Sequence, residues 1–194
     1  MLLKGNDMRK IFLVFGLLCI AGFLCAQSTD IPALRPIINH FASRNFAPGE
    51  VTRAQIDLIL QAGIHSPSAS NRQPWHFTVV QNQDLAKRIV AQVNDGNILI
   101  IVSAAGDGKT NGPVMLDCGL AVQCMYLAAQ AIGLASRIYT GPMDTINSRF
   151  KTELGLPANH SAIALIRIGR LPAGVDAVSS ASARNDAGRM VTYK

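Results

Sequence analysis

Two polar segments of this 194-residue chain have the composition of ligand-binding loops. Residues 106–112 read GDGKTNG, and Lys109 with Thr110 is typical of the end of a phosphate-binding loop. The complete pattern requires glycine at position 103, where this chain has Ser103, so we expect an ordinary loop there. Residues 66–74, SPSASNRQP, combine turn formers with hydrogen-bonding side chains. They predict a polar loop between two core elements.

The side chains that could act as nucleophiles or metal ligands are dispersed along the sequence. No serine or cysteine lies in a nucleophile elbow. Cys118 and Cys124 lie six positions apart in one predicted helix, so they face different directions, and no histidine stands beside them at zinc-ligand spacing. We predict two buried, free thiols, with neither a disulfide framework nor a metal site. The histidines are His40, His65, His76 and His160.

The elements that position these segments mix helices and strands without a strict alternation. Thr52 and Gln55 form a capping-box signature at the start of one helix. The helices are predicted at residues 31–41, 52–66, 84–93, 115–134 and 144–154, and the strands at 75–80, 97–104, 136–140 and 162–168. This order favours the α+β class, a sheet with helices packed on it.

The amino terminus has the order of a secretory signal peptide. Lys4, Arg9 and Lys10 precede an uncharged run at 11–24, and a small, polar stretch follows it. The run of 14 residues is shorter than the ~20 that span a bilayer. We therefore expect removal of residues 1–26, export to a bacterial periplasm and no stable membrane span afterwards. Lipid attachment at Cys25 and a buried core helix are the alternatives.

Composition and charge describe one globular domain at residues 27–194. Hydrophobic residues make up 49% of the chain and charged residues 15%, which excludes a disordered tail. Loss of residues 1–26 would leave 15 basic against 11 acidic side chains, scattered rather than clustered. This modest excess could favour an anionic ligand such as a phosphate, and it argues against nucleic acid.

Four segments, in order, resemble the flavin mononucleotide (FMN)-dependent nitroreductase family. The first is SRNF followed by a capped helix and SPSASNRQPW, and the likeness covers residues 35–194. The others are DCGLAVQ with a later GL, LGLP with ALIRIG, and RNDAGRMVTY. The resemblance implies a central, mainly antiparallel sheet flanked by helices. It also implies a homodimer that binds FMN at its interface.

The resemblance assigns a cofactor site residue by residue. His40, Ala42 and Arg44 align with family contacts to the phosphate and ring, and Arg44 alone keeps their character. Arg44 is implied near the N1–O2 edge, where it would stabilise negative charge on reduced flavin. Arg184 is implied as a phosphate ligand. Four further positions are implied to approach the flavin ring and ribityl chain from the partner subunit: Pro67, Ser68, Ala69 and Asn71. Thr140 and Gly141 are implied to present backbone groups to the reactive edge of the flavin.

The activity that the resemblance implies is an FMN oxidoreductase working by ping-pong. Hydride would pass from NAD(P)H, or from another reductant outside the cytoplasm, through flavin N5 to a nitroaromatic, quinone or similar acceptor. No catalytic side chain is required. The alternatives are a non-catalytic module that binds flavin or another small ligand on the same fold, and a structural domain with an empty site.

Overall fold

The structure, a computed structural model, describes residues 31–107, 111–178 and 183–194. The chain divides into residues 1–34 and residues 35–194. The described part of the first unit is a 3₁₀ turn, Pro32–Leu34. The signal peptide expected at residues 1–26, including Cys25, lies outside the described residues, as do Lys109 and Thr110.

Residues 35–194 form a helical layer on each face of a four-stranded sheet. The helices are α1 (Arg35–Ile38), α2 (Arg53–Ile64), α3 (Gln83–Ile89), α4 (Gly112–Ala131) and α5 (Met143–Thr145), which continues into a π-helical turn, Ile146–Phe150. The strands are β1 (Trp75–Val80), β2 (Ile98–Ala105), β3 (Ala135–Tyr139) and β4 (His160–Gly169). Short 3₁₀ turns occur at Ala69–Asn71 and Ala187–Arg189.

The sheet has the order β1-β2-β4-β3, and every neighbouring pair is antiparallel. The mainly antiparallel α+β architecture predicted from the sequence is therefore confirmed. At one end of the sheet, the Trp75 end, β1 begins and β2 reaches its last residues opposite the start of β4. At the other end, the Ala135 end, β3 begins opposite Gly169, the last residue of β4.

Alternate residues of β2 enter two separate cores, as the two-residue period of a strand requires. Ile100 packs with Ile59 of α2 and Met125 of α4 on one face. Leu99 and Phe150 belong to the core on the opposite face, beneath α3 and the π-helical turn. Helix α4 is, among the described residues, the helix that is long and apolar enough to cross a membrane. Its buried side chains fill the core between α2 and the sheet.

The prediction of a helix over residues 31–41 is too long. Only Arg35–Ile38 is α-helical within that range, after the 3₁₀ turn. The backbone N–H and C=O groups of Phe41 are bonded instead to the side chain of Gln130, so the chain leaves the helix before that point. A distant side chain thus overrides the local helical pattern.

Three other helices also end early, and one of them, predicted at 115–134, begins and ends three residues sooner, at Gly112–Ala131. The helix expected at 84–93 stops at Ile89, because Val90 is extended and Gly96 then turns with φ +81°. The close approach of Gly49 leaves no room for a side chain at position 96. The helix expected at 144–154 becomes α5 and the π-helical turn, where Asn147 bonds both backbone groups of Ala162 at 3.1 and 2.7 Å.

The capping box of α2 gives a direct test of how local bonds support this layer. Thr52 Oγ1 accepts from the Gln55 N–H at 3.3 Å, and the Gln55 side chain accepts from the Thr52 N–H at 3.1 Å. We expect Thr52→Ala to lower the free energy of unfolding by about 1 kcal/mol, measured by urea denaturation. Thr145→Ala, at an exposed threonine where α5 continues into the π-helical turn and which makes no side-chain cap bond, is the control and should change it by less than about 0.5 kcal/mol. Equal effects would show that the cap contributes nothing.

Candidate functional site

A cavity of about 600 Å³ lies beside the chain that leads from α1 to α2, at the Ala135 end of the sheet. Its volume falls in the usual range for small-molecule and cofactor sites. Arg44 brings a guanidinium to its wall. The lining residues are Phe41, Ala42, Arg44, Asn45, Leu171, Pro172 and Val175.

The amino-terminal side of this wall is held by the buried amide of Gln130. Its Oε1 accepts from the Phe41 N–H at 3.3 Å, and its Nε2 donates to the Phe41 carbonyl at 2.9 Å and to Ser136 Oγ at 3.0 Å. The Ser43 N–H then donates to the Ser136 carbonyl at 3.1 Å. The Gln130 side chain therefore satisfies the backbone groups of Phe41, as a neighbouring strand would. Together with the Ser43–Ser136 bond, it fixes residues 41–43 against β3.

The carboxyl-terminal side is held by a second buried amide, that of Asn97. Its Nδ2 donates to the Ala47 carbonyl at 3.0 Å, while its Oδ1 accepts from Arg167 at 2.9 and 3.2 Å. The Arg167 guanidinium lies 3.9 Å from the centre of the Phe46 ring. Burial lowers the pKa of Arg167. Arg44 and its neighbour Asn45 thus lie between two anchored stretches of backbone.

Tyr126 of α4 brings together two residues predicted from opposite ends of the sequence. The His40 ring packs edge-on against it, with ring centres 5.5 Å apart, and His40 Nδ1 lies 2.7 Å from the Ile37 carbonyl oxygen. Burial raises the pKa of Tyr126, and its hydrogen bond with Gln130 and the positive charge of Arg184 oppose that shift. His40 and Arg184 therefore share one neighbourhood. Their role toward a phosphate stays a prediction.

The loop at residues 66–74 is tightly constrained. Ser70, Asn71 and Gln73 all adopt left-handed backbone conformations, with φ of 52°, 54° and 47°. Such conformations are costly for residues other than glycine and persist where surrounding bonds impose them. Ser68 Oγ accepts from the Gln73 N–H at 2.9 Å, and Asp117 Oδ1 accepts from the Ala69 N–H at 3.0 Å. These bonds thus hold the exposed backbone of the loop in place at the Trp75 end of the sheet.

Two buried oxygen atoms near this loop have no hydrogen-bond partner among the described residues. They are Ser66 Oγ and Asp117 Oδ2, and Asp117 is only 3% exposed. Buried polar atoms in proteins are almost always satisfied, so unsatisfied ones indicate a water or a ligand. Two oxygen atoms that could still form hydrogen bonds therefore lie beneath the loop predicted to contact a cofactor.

The structure separates the predicted site residues into three groups within one chain. Asp117, which holds Ala69, and Tyr126, which contacts His40, are nine positions apart on α4, or about 13 Å along its axis. Thr140 and Gly141 follow β3 and are exposed, and Thr140 lies roughly 13 Å along the strand from Ser136. A single chain does not bring the loop at 66–74 to the cavity beside Arg44.

Several expectations about reactive side chains need correction. Cys118 is buried, and burial with the neighbouring Asp117 charge raises its pKa to about 11, but Cys124 is only half-buried. Both thiols are free, as predicted. Although the histidines are dispersed along the sequence, the fold brings His76 and His160 together, with ring centres 6.0 Å apart. In the described part of the chain, no three His, Cys, Asp or Glu side chains form a metal-binding group.

The positioning roles of Gln130 and Asp117 were missed by sequence reasoning. Both lie in the apolar run predicted as a buried helix, and both are buried. A polar side chain in such a helix must find a hydrogen-bond partner, which is the signal that could have identified them. The sequence does not give the partners, Phe41 and Ala69, which lie 89 and 48 positions away.

Asp117 provides a test of how the loop is held. We expect Asp117→Ala to speed amide hydrogen exchange at Ala69 by at least about 10-fold, because the N–H loses a charge-assisted acceptor. Asp117→Asn keeps an oxygen acceptor and should retain most of the protection. The exposed carboxylate Asp57, changed to Ala, is the matched control and should leave Ala69 unchanged. Unchanged exchange in Asp117→Ala would show that other bonds fix the loop.

Comparison with known proteins agrees with this architecture. The sequence pattern of the nitroreductase family matches residues 37–106 and 93–170. A protein of Methanothermobacter thermautotrophicus, provisionally named NADH dehydrogenase/NAD(P)H nitroreductase, is 31% identical over 150 residues, which is 73% of this chain and 78% of the relative. A protein of Archaeoglobus fulgidus with the same provisional name is 28% identical over 146 residues, 70% of this chain and 83% of its own length.

A solved structure shows the same fold. The provisionally named nitroreductase from Desulfovibrio desulfuricans, crystallised in complex with FMN, aligns with a TM-score of 0.69 and 27% identity. The alignment covers 86% of this chain and 98% of that one. The family pattern, the similar sequences and the shared fold agree over most of residues 35–194, and this chain belongs to the nitroreductase family.

Proposed function

We propose that this protein is an FMN-dependent oxidoreductase that passes hydride from a reduced donor to a small-molecule acceptor. The observation that carries the proposal is the cavity beside Arg44, whose wall is fixed at both ends by buried amides. Members of the family that resemble this chain have names that refer to NAD(P)H, and one was crystallised with FMN. The similarity to the family supports the type of reaction, and the cavity supports the location of the cofactor site.

The residues present fit the charge and size of FMN. The cavity of about 600 Å³ accommodates a cofactor of this class, and Arg44 on its wall supplies a permanent positive charge. His40, which packs on Tyr126, and Arg184, whose charge acts on the same tyrosine, are two further nitrogen-bearing side chains that would suit an anionic phosphate. Ser66 and Asp117 retain bonding capacity beneath the loop predicted to face the ring.

FMN, when bound, supplies a ring that accepts and donates hydride at N5. The protein's own contribution is then electrostatic and steric. Arg44 would stabilise negative charge on the ring, and the anchors at Gln130 and Asn97 would keep that guanidinium in place without reorganisation. His40 and Arg184 would bind the phosphate and so hold the cofactor's tail.

A homodimer would complete the site, because the loop at 66–74 and the cavity are apart in one chain. Helix α4 exposes Leu116 and Leu120, at 64% and 36%, and α2 exposes Ile64 at 43%. Apolar side chains in a row on packed helices are typical of a subunit interface. A two-fold axis across α4 would place the amino-terminal half of one helix beside the carboxyl-terminal half of the other. The loop held by Asp117 would thereby approach the partner's cavity.

The proposed location of the protein bears on the choice of electron donor. If residues 1–26 direct export, NAD(P)H is not the expected reductant at the site of action, and another donor would reduce the protein. A nitroaromatic or a quinone suits the acceptor side, because each is planar and takes up hydride. The proposed export rests on the amino-terminal sequence, and the proposed acceptor class rests on the family resemblance.

The first experiment tests cofactor binding and the role of Arg44 together. We expect the purified protein to bind FMN. Arg44→Ala should raise the dissociation constant for FMN about 10- to 100-fold, because a charged hydrogen bond is lost. The same substitution should slow reduction of the bound flavin by the electron donor. Arg53→Ala, an exposed arginine on α2 paired with Asp57, is the matched control and should change neither quantity. The measurements are fluorescence titration and stopped-flow absorbance near 450 nm.

Two results would contradict this assignment. Absence of FMN binding after reconstitution would remove the oxidoreductase proposal altogether. Weaker binding by Arg44→Ala with an unchanged, negligible rate of reduction would favour a non-catalytic flavin-binding module. That alternative has a basis in the sequence, because positions 40 and 42 carry histidine and alanine, whereas the family resemblance implies arginine and serine there.

The second experiment tests the dimer. We expect Leu120→Asp to shift the mass measured by light scattering from dimer to monomer, because it buries a charge in the apolar interface. FMN binding should fall with it if both subunits contribute. Leu58→Asp, on the exposed side of α2 at 59% exposure, is the control for a charged substitution elsewhere. A Leu120→Asp dimer with full FMN binding would refute the proposed interface.

A further inference from the structure

Three donor side chains lie across three adjacent strands at the Trp75 end of the sheet. His76 of β1 is the register partner of Ser103 in β2, and His160 of β4 pairs with Ala105 two positions further along β2. A register shift at Val102 and Ser103 brings the start of β4 to this point. Strand alternation places all three side chains on the sheet face that carries α3, opposite the face that packs on α4.

The two imidazole rings lean toward each other over the small side chain of Ser103. Their centres are 6.0 Å apart, and the rings are nearly perpendicular at 88°. With metal–nitrogen bonds of about 2.0–2.1 Å, two imidazoles that share one ion have centres roughly 5–6 Å apart. His76 is exposed, so its ring is free to turn toward a shared ion.

Ser103 gives His160 a defined orientation. The serine is fully buried, and its Oγ lies 3.4 Å from His160 Nδ1. Histidines that bind metals usually engage their second ring nitrogen with a neighbouring oxygen, which fixes the ring and leaves the other nitrogen for the ion. In this arrangement Nδ1 faces the serine and Nε2 is left for the ion.

We propose that His76 and His160 bind a transition-metal ion that prefers imidazole, such as Ni²⁺, Zn²⁺ or Cu²⁺, with Ser103 orienting His160 and water completing the coordination. Imidazole suits these ions, whereas Mg²⁺ and Ca²⁺ require oxygen ligands. Two protein ligands are fewer than the three or four of catalytic and structural zinc sites, so the site is exchangeable.

The electrostatic surroundings also favour a weak, exchangeable site. Burial, His76 and Lys151 all lower the pKa of His160. The Lys151 ammonium, which donates to the Ala158 carbonyl at 2.7 Å, repels a bound cation. The site is separate from the cavity beside Arg44, because the two lie at opposite ends of the sheet.

Calorimetric titration of the purified full chain with Ni²⁺ tests the proposal. We expect one site on this pair, and a loss of affinity of at least about 10-fold in His76→Ala and in His160→Ala. Ser103→Ala should reduce the affinity by a smaller factor. His65→Ala, which removes an exposed histidine at the end of α2, is the matched control and should bind as the unmodified protein does.

A second measurement on the unmodified protein guards against misfolded variants. Paramagnetic Ni²⁺ should broaden the imidazole NMR signals of His76 and His160 together, at lower metal concentration than those of His40 and His65. Simultaneous broadening of all the histidines would overturn the proposal. Affinity that stays within twofold in either single variant would overturn it as well.

Discussion

The structure depends on two buried side-chain amides that hold one irregular segment of backbone. Gln130 satisfies both backbone groups of Phe41, and Asn97 bridges the Ala47 carbonyl and Arg167. An extended segment outside a sheet would otherwise bury unsatisfied polar groups at a cost of about 1–3 kcal/mol each. The two amides remove that cost. They thereby convert residues 41–47 into a rigid wall that carries Arg44 beside the cavity.

Helix α4 links this wall to the second functional element. Its amino-terminal half carries Asp117, which holds the loop at residues 66–74, and its carboxyl-terminal half carries Tyr126 and Gln130. The helix is largely apolar, so these polar residues are buried in the core and must be bonded. Its length keeps the two elements apart within one chain. An apolar exposed row on the same helix offers the surface through which a second chain could bring them together.

Much of the fold could be predicted because its signals are local. The capping box of α2 formed as Thr52 and Gln55 indicated, and β1 has the bounds that its β-branched and aromatic residues predicted. The alternation of β2 between two cores follows from its continuous apolar run. The predicted helices run past their observed ends at residues 39–41, 90–93 and 151–154. The shared difficulty is that Gln130, Gly49 and Ala162 cannot be identified as partners from spacing alone.

The sequence by itself determined the family, the order of the elements and the residue types at the candidate site, because these depend on patterns within short windows. Tertiary structure decided which of those residues meet. It packed His40 against Tyr126, brought the charge of Arg184 within electrostatic range of that tyrosine, and paired His76 with His160, although the sequence places these two histidines 84 positions apart. Such groupings depend on sheet register and on the length of α4. Those quantities are fixed only when the whole core packs.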